Sequence, residues 1–195
     1  MKEPLLYRIV RAPLGGIFKL IYRPQIIGKE NIPAEGSIVL AGNHTGFFDC
    51  LLIGVSTKRC VHYMAKDDLT KGILGPLFKG MGIIPVNRRT KDRQSLQTAM
   101  EYLQDNKVIG IFPEGTINRT DDVIMPFKFG AVKMAGETGT NIVPFVITGG
   151  YRPFRKGLKV VFYSAMQVGE NLEEANNKLM DIVKTGIIKN KGESK

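Results

Sequence analysis

The sequence is short of several things, and each shortage removes a class of protein. Long apolar runs are missing: charge-free windows such as 139–151 stop well short of the ~20 apolar residues that a membrane-spanning helix needs. The apolar stretch near the start is interrupted by Arg8 and Arg11, so a cleaved signal peptide is not expected. Cysteine is scarce. Cys50 and Cys60 match no zinc or redox spacing; they could form one disulfide, but idle thiols in a reducing compartment are the expectation. No H-E-x-x-H and no G-x-S-x-G occurs, so neither a zinc hydrolase site nor a serine nucleophile elbow is expected. There is no internal repeat and no low-complexity linker. Acidic residues are also in deficit.

That deficit sets the electrostatics. Against 28 Lys and Arg stand 18 Asp and Glu, a net charge of +10. Such a surplus favours anionic partners: nucleic acid, anionic lipid headgroups or phosphorylated substrates. No helix–turn–helix, zinc-finger or RNA-binding aromatic signature is present, so nucleic acid ranks low among them. At 195 residues the chain is long enough for one full hydrophobic core.

Residues 4–22 read as an amphipathic helix. Leu6, Val10, Leu14, Ile17, Phe18 and Ile21 fall on one face, Arg8, Arg11 and Lys19 on the other, with a kink possible at Pro13 and Gly15–Gly16. Two readings stand: a helix lying in a membrane interface, or an N-terminal helix packed on the domain core. After it, strand and helix patterns alternate. Strands are expected at 37–43, 59–65, 83–87, 108–113, 141–148 and 158–165, and helices at 48–57, 90–104, 128–138 and 171–184. In the last helix Glu173 and Glu174 open the first turn and Lys184 sits near the end, as the helix dipole favours. Strands alternating with helices predict an α/β fold: a largely parallel sheet flanked by helices, with an N-terminal amphipathic helix. The expected organisation is a membrane-associating helix at 1–24, a single domain at 25–188 and a frayed tail at 189–195.

Chemistry concentrates at strand ends. His44 follows a buried strand at a turn containing Gly46, and Asp49 opens the next helix. Five residues apart, they do not share a face of one helix. With His44 in the turn and Asp49 in the first helical turn, the carboxylate can hold one imidazole nitrogen and leave the other to take a proton. The same residues also fit a helix cap beside a loop histidine. The run Phe112–Pro113–Glu114–Gly115–Thr116 follows another strand. If both strands are parallel members of one sheet, the two turns open on the same side. There Gly115 would admit a ligand to the backbone, Thr116 would offer a hydroxyl and Arg119 would pair with a phosphate; an ordinary strand–helix loop is the alternative. Arg88, with Arg89 and Lys91, and Lys66 are further cations at strand ends, either phosphate ligands or solvated charges.

Taken together these stretches resemble the glycerophospholipid acyltransferases. The first family motif, His, four residues, Asp, is matched by His44 and Asp49, with Asn43 before the histidine. The second, a hydrophobic strand ending in arginine, is matched by residues 82–88; the third in full by 112–116; the fourth, a strand containing proline, by 142–148 with Pro144. Four motifs in order are more specific than any one, and they span roughly residues 25–168. The family often has arginine directly after the threonine; here that residue is Ile117 and the basic residue is Arg119, a departure that bears on the acceptor. The resemblance implies transfer of a fatty acyl group from acyl-CoA or acyl carrier protein to the free hydroxyl of 1-acylglycerol 3-phosphate (lysophosphatidic acid) or a similar lipid acceptor. His44 would be the general base and Asp49 its orienter. Lys66, Arg88, Glu114, Gly115, Thr116 and Arg119 would place the acceptor phosphate. Glu114, awkward beside a phosphate, is expected to pair with Arg88 or another cation. No cofactor or metal is implied, and the partners would include an anionic membrane surface, on its cytoplasmic face.

Overall fold

The computed structural model describes residues 4–73, 75–87 and 92–192. Alternating buried positions build one seven-stranded sheet in the order β1 (Gln25–Ile27), β7 (Lys159–Phe162), β6 (Ile142–Thr148), β2 (Ile38–Gly42), β5 (Val108–Ile111), β3 (Val61–Lys66), β4 (Ile84–Val86). All neighbours are parallel except β6 and β7, which pair antiparallel. The sheet is therefore mixed and mostly parallel, as expected from the alternation, with β7 and β1 running against the other five.

The period of two sorts each central strand between two cores. From β2, Val39 and Ala41 join Ile109 of β5 and Ile142 and Val146 of β6 under α4 (Arg93–Gln104), α5 (Gly130–Thr138) and α6 (Leu172–Gly192). Ile38 and Leu40 join Val108, Val143 and Phe145 on the opposite face, under α1 (Leu5–Tyr22) and α2 (Asp49–Ser56). A short helix, α3 (Gly75–Gly80), precedes β4. α6 runs past Lys184: residues 189–192, expected in a frayed tail, are its last turn. Buried Ile187 and Asn190 anchor that turn, with Asn190 Nδ2 donating to the Gly186 carbonyl at 2.8 Å.

α1 divides its residues differently from the amphipathic expectation. Its inner side is Tyr7, Arg11, Gly15, Phe18 and Tyr22. Phe18 is buried in the α2-side core, a Cβ on Gly15 would lie 3.1 Å from Val55, and the Tyr7 hydroxyl donates to the Arg59 carbonyl at 3.2 Å. Arg11, expected on the outer polar face, turns inward instead. Its guanidinium donates to the Lys58 carbonyl at 2.9 Å and to that of Thr57. These carbonyls lie just past the C-terminus of α2, where the helix dipole's negative end also draws a cation. Ile9, Leu14, Ile17 and Leu20 are left exposed. The helix is continuous through Pro13, and among the described residues no helix is long and apolar enough to cross a membrane.

β2 ends at Gly42, and the ladder is continued by a side chain. The Asn43 amide donates to the Ile147 carbonyl and accepts from the Ile147 N–H, both at 2.8 Å. Asn43 thus stands in for one more residue pair between β2 and β6 and fixes where His44 leaves the sheet. Replacing Asn43 by Ala strands a buried N–H and a buried C=O, each worth about 1–3 kcal/mol when unsatisfied. Urea unfolding of Asn43→Ala should show a loss of about 2–4 kcal/mol. A loss below about 1 kcal/mol would mean that water or backbone rearrangement replaces the amide.

Candidate active site

β2 and β5 are adjacent and parallel, so the turns that follow them leave the same edge of the sheet, the edge where open α/β sheets bind ligands. Between these turns lies a carboxylate with no exposure to solvent, Asp49. Its Oδ2 accepts from His44 Nδ1 at 2.8 Å, from the Thr45 N–H at 2.6 Å and from the Gly46 N–H at 2.9 Å. Its Oδ1 accepts from Thr45 Oγ1 at 2.9 Å and from the Tyr151 hydroxyl at 2.5 Å. A buried carboxylate with donors on every side is an acceptor, so Nδ1 of His44 carries the proton and Nε2 presents a lone pair. Of the two readings left open by the spacing, the His44–Asp49 hydrogen bond is present, while Asp49 caps no helical N–H: the backbone groups it accepts, Thr45 and Gly46, lie in the turn before α2.

The imidazole is held on its flat side as well. It stacks on Phe112, centroids 4.1 Å apart and planes at 14°. Phe112 in turn lies parallel to Tyr63, whose hydroxyl donates to the Cys50 carbonyl at 2.9 Å. Burial, with the Asp49 charge beside it, pushes the Cys50 thiol up to about 12, and the thiolate is the reactive form.

Glu114 is met by backbone: Oε1 accepts from the His44 N–H at 2.8 Å and Oε2 from the Met125 N–H at 2.9 Å. Among the described residues it makes no ion pair, and its expected partner Arg88 lies outside them. Burial raises its pKa, and those two N–H bonds pull it back only partly. With the Asn118 N–H donating to the His44 carbonyl at 3.0 Å, the β5 turn grips both backbone polar groups of His44. Glu114 therefore fixes the backbone of His44, with one N–H on each of its carboxylate oxygens.

The remaining candidates spread along the same edge. Gly115 has φ of 75°, the left-handed region that favours glycine, and Lys128 Nζ lies close to where a side chain would go. Thr116 and Arg119 are exposed. Lys66 ends β3, half exposed and paired with Asp68. Arg88, Arg89 and Lys91 lie outside the described residues. Two contributors escaped sequence reasoning. Tyr151 reaches Asp49 from the loop after β6, and Lys128 lays a cation on the Gly115 turn. Neither sits in a local pattern; only the packing brings them in.

Comparison with known proteins gives a consistent result. The family model described as Acyltransferase matches residues 23–148. The chain is 31% identical over 177 residues to the 1-acyl-sn-glycerol-3-phosphate acyltransferase of Bacillus subtilis, covering 88% of this chain and 84% of that one. It is 34% identical over 147 residues to the protein of the same name from Borreliella burgdorferi, covering 73% of this chain and 57% of that one. In fold it is similar to the crystal structure of the 1-acyl-sn-glycerophosphate (LPA) acyltransferase PlsC from Thermotoga maritima. The TM-score is 0.77 at 21% identity, over 95% of this chain and 81% of that one.

The Glu114 arrangement is testable by itself. Glutamine keeps the shape but turns an NH₂ toward one of the two backbone donors. Glu114→Gln should lower stability in urea by about 1–3 kcal/mol, the cost of one buried donor left facing another. An unchanged midpoint would mean that the carboxylate is protonated and already donates.

Proposed function

Because the chain belongs to the acyltransferase family, we propose that it moves a fatty acyl group from acyl-CoA or acyl carrier protein to the free hydroxyl of 1-acylglycerol 3-phosphate, giving phosphatidic acid. The observation that carries this reading is the His44–Asp49 bond of 2.8 Å, with Nε2 facing away from the carboxylate. Nε2 takes the proton of the acceptor hydroxyl as its oxygen attacks the thioester carbonyl. The tetrahedral oxyanion collapses, the carbon–sulfur bond breaks, and the departing thiolate recovers the proton from Nε2. Asp49 stabilises the imidazolium in between. No covalent enzyme intermediate is required.

The acceptor phosphate belongs beside the Gly115–Thr116 turn. Arg119, Lys66 and Lys128 are cations along that edge among the described residues, and Arg88 is carried over from the family motif alone. Ile117, where the family often carries arginine, moves the nearest motif cation two residues on, to Arg119. An acceptor panel that includes other lysophospholipids and glycerol 3-phosphate measures what that change does to specificity.

Thiol release from acyl-CoA with lysophosphatidic acid tests the chemistry. His44→Ala should lower kcat by about 10²–10⁴-fold, the usual worth of a positioned base. Tyr151→Phe removes one hydrogen bond to a charged group, about 1.5–3 kcal/mol, and should lower kcat roughly tenfold or more with KM little changed. Undiminished turnover in His44→Ala would overturn the mechanism.

The same reading places the protein peripherally on a membrane, on the cytoplasmic face where water-soluble thioester donors reach it. Support comes from α1, whose exposed Ile9, Leu14, Ile17 and Leu20 lie beside exposed Arg8 and Lys19, as in helices that lie in the interface. Deleting α1 would strip Phe18 from the core, so point changes are the sound test. Ile17→Ser with Leu20→Ser should weaken sedimentation with anionic vesicles by about tenfold or more. Unchanged binding would remove α1 as the contact.

A further inference from the structure

The segment between β6 and β7, residues 149–157, joins the core only through Tyr151 at its base. Gly149 and Gly157 form its neck, with φ of 80° and 118°. Their backbones are too close for a side chain at Gly149, because the Gly157 carbonyl occupies its place. Above the neck, Arg152, Phe154, Arg155 and Lys156 are all exposed, Phe154 to 66%. Phe154 is held at φ 59°, a left-handed conformation that a bulky side chain adopts only when its surroundings impose it. What imposes it is a bond to α1: the Phe154 N–H donates to the Ile21 carbonyl at 2.6 Å, one of the carbonyls that a helix end leaves unpaired.

That bond places an exposed phenylalanine and three cations at the end of the helix that exposes Ile17 (55%) and Leu20 (66%). At the base of the loop, Tyr151 packs edge-on against Tyr22 of α1, centroids 5.7 Å apart, and 5.6 Å from Phe48. Phe48 in turn touches Phe47, which is 71% exposed. No acidic residue occurs in 5–22 or in 138–169. Apolar side chains ringed by uncompensated cations match one surface chemistry: a bilayer edge bearing anionic headgroups. An acidic protein partner would use the cations but leave the phenylalanine, leucine and isoleucine unserved.

We propose that the β6–β7 loop is a second lipid-contacting element. It seats Phe154 in the apolar edge of an anionic bilayer and Arg152, Arg155 and Lys156 among the headgroup phosphates. This deepens the membrane reading of α1 and rests on it.

The test is sedimentation of the full-length protein with phosphatidylglycerol–phosphatidylcholine vesicles and with phosphatidylcholine vesicles. Phe154→Asn is the informative variant, because asparagine tolerates the left-handed conformation better than phenylalanine. It should melt no lower than wild type and bind both vesicle types about tenfold more weakly. Arg155→Gln with Lys156→Gln should lose about tenfold or more on the anionic vesicles and little on the neutral ones. Equal binding by wild type and both variants overturns the loop and leaves α1 standing. No binding by wild type overturns the membrane reading as a whole. Salt-sensitive binding of acyl carrier protein that the Gln variants lose, with vesicle binding intact, reassigns the loop to the carrier and also overturns the proposal. Catalysis enters none of these readouts, so a failure of acyl transfer remains separately visible.

Discussion

The structure around the site depends on a single carboxylate that water does not reach. Taking a charge out of water is costly unless hydrogen bonds replace hydration, and Asp49 is met by five donors on its two oxygens. Four come from the residues just before it, and satisfying them bends the chain between β2 and α2 around the carboxylate. The four-residue gap between His44 and Asp49 is the length that lets the Thr45 and Gly46 N–H groups and the His44 ring converge on one oxygen. The fifth donor, Tyr151, comes from 102 residues further along the chain and ties in the loop after β6. Through the contacts of Tyr151 with Phe18 and Tyr22, the carboxylate also has a say in where α1 lies.

Glu114 shows what a second buried carboxylate does when its donors are different. Each oxygen meets one backbone N–H, one from His44 and one from Met125, so it staples two turns rather than tuning a ring. His44 ends up restrained four ways. Asp49 holds its ring nitrogen, Phe112 its ring face, Glu114 its N–H and Asn118 its carbonyl. Among the described residues, none of these contacts takes up Nε2. On the proposed reading, a base held this firmly loses little freedom when a hydroxyl arrives, and such positioning can supply a large part of a rate enhancement.

The fold was legible wherever periodicity had room to show. The strands of the central sheet and helices α2, α4, α5 and α6 fall where the patterns placed them, although α6 runs on beyond the expected end. β1, three residues long, offers no period, and α3 is bounded by glycines. The direction of β7 is not written in its own residues, which would pattern alike either way. The cue lies in the ten residues between β6 and β7, too few for the crossover that a parallel neighbour requires. At the site, His44, Asp49 and the Glu114 turn were legible because each sits in a short local motif. The bonds that Glu114 does make were hidden because backbone N–H groups belong to every residue type and leave no trace in the letters. Tyr151 was hidden for a related reason: a tyrosine acquires meaning only from what it packs against.

α1 carries the last step. A helix buried on one side in a water-soluble domain normally turns its bulky apolar residues inward and its glycines out. Here Gly15 is buried and lets the helix lie close to Val55 of α2, which a side chain would crowd at 3.1 Å. Phe18 is the large buried contact, while Ile9, Leu14, Ile17 and Leu20 point away. That inversion is costly in water and natural for a helix lying between a protein core and an apolar medium. On the proposed reading it also shortens the path of the substrate. Phe18 and Tyr22 rest on Tyr151, and Tyr151 rests on Asp49, so one layer of aromatic rings separates the lipid-facing helix from the carboxylate. A lipid acceptor could then bring its hydroxyl to His44 while its acyl chain stays at the interface.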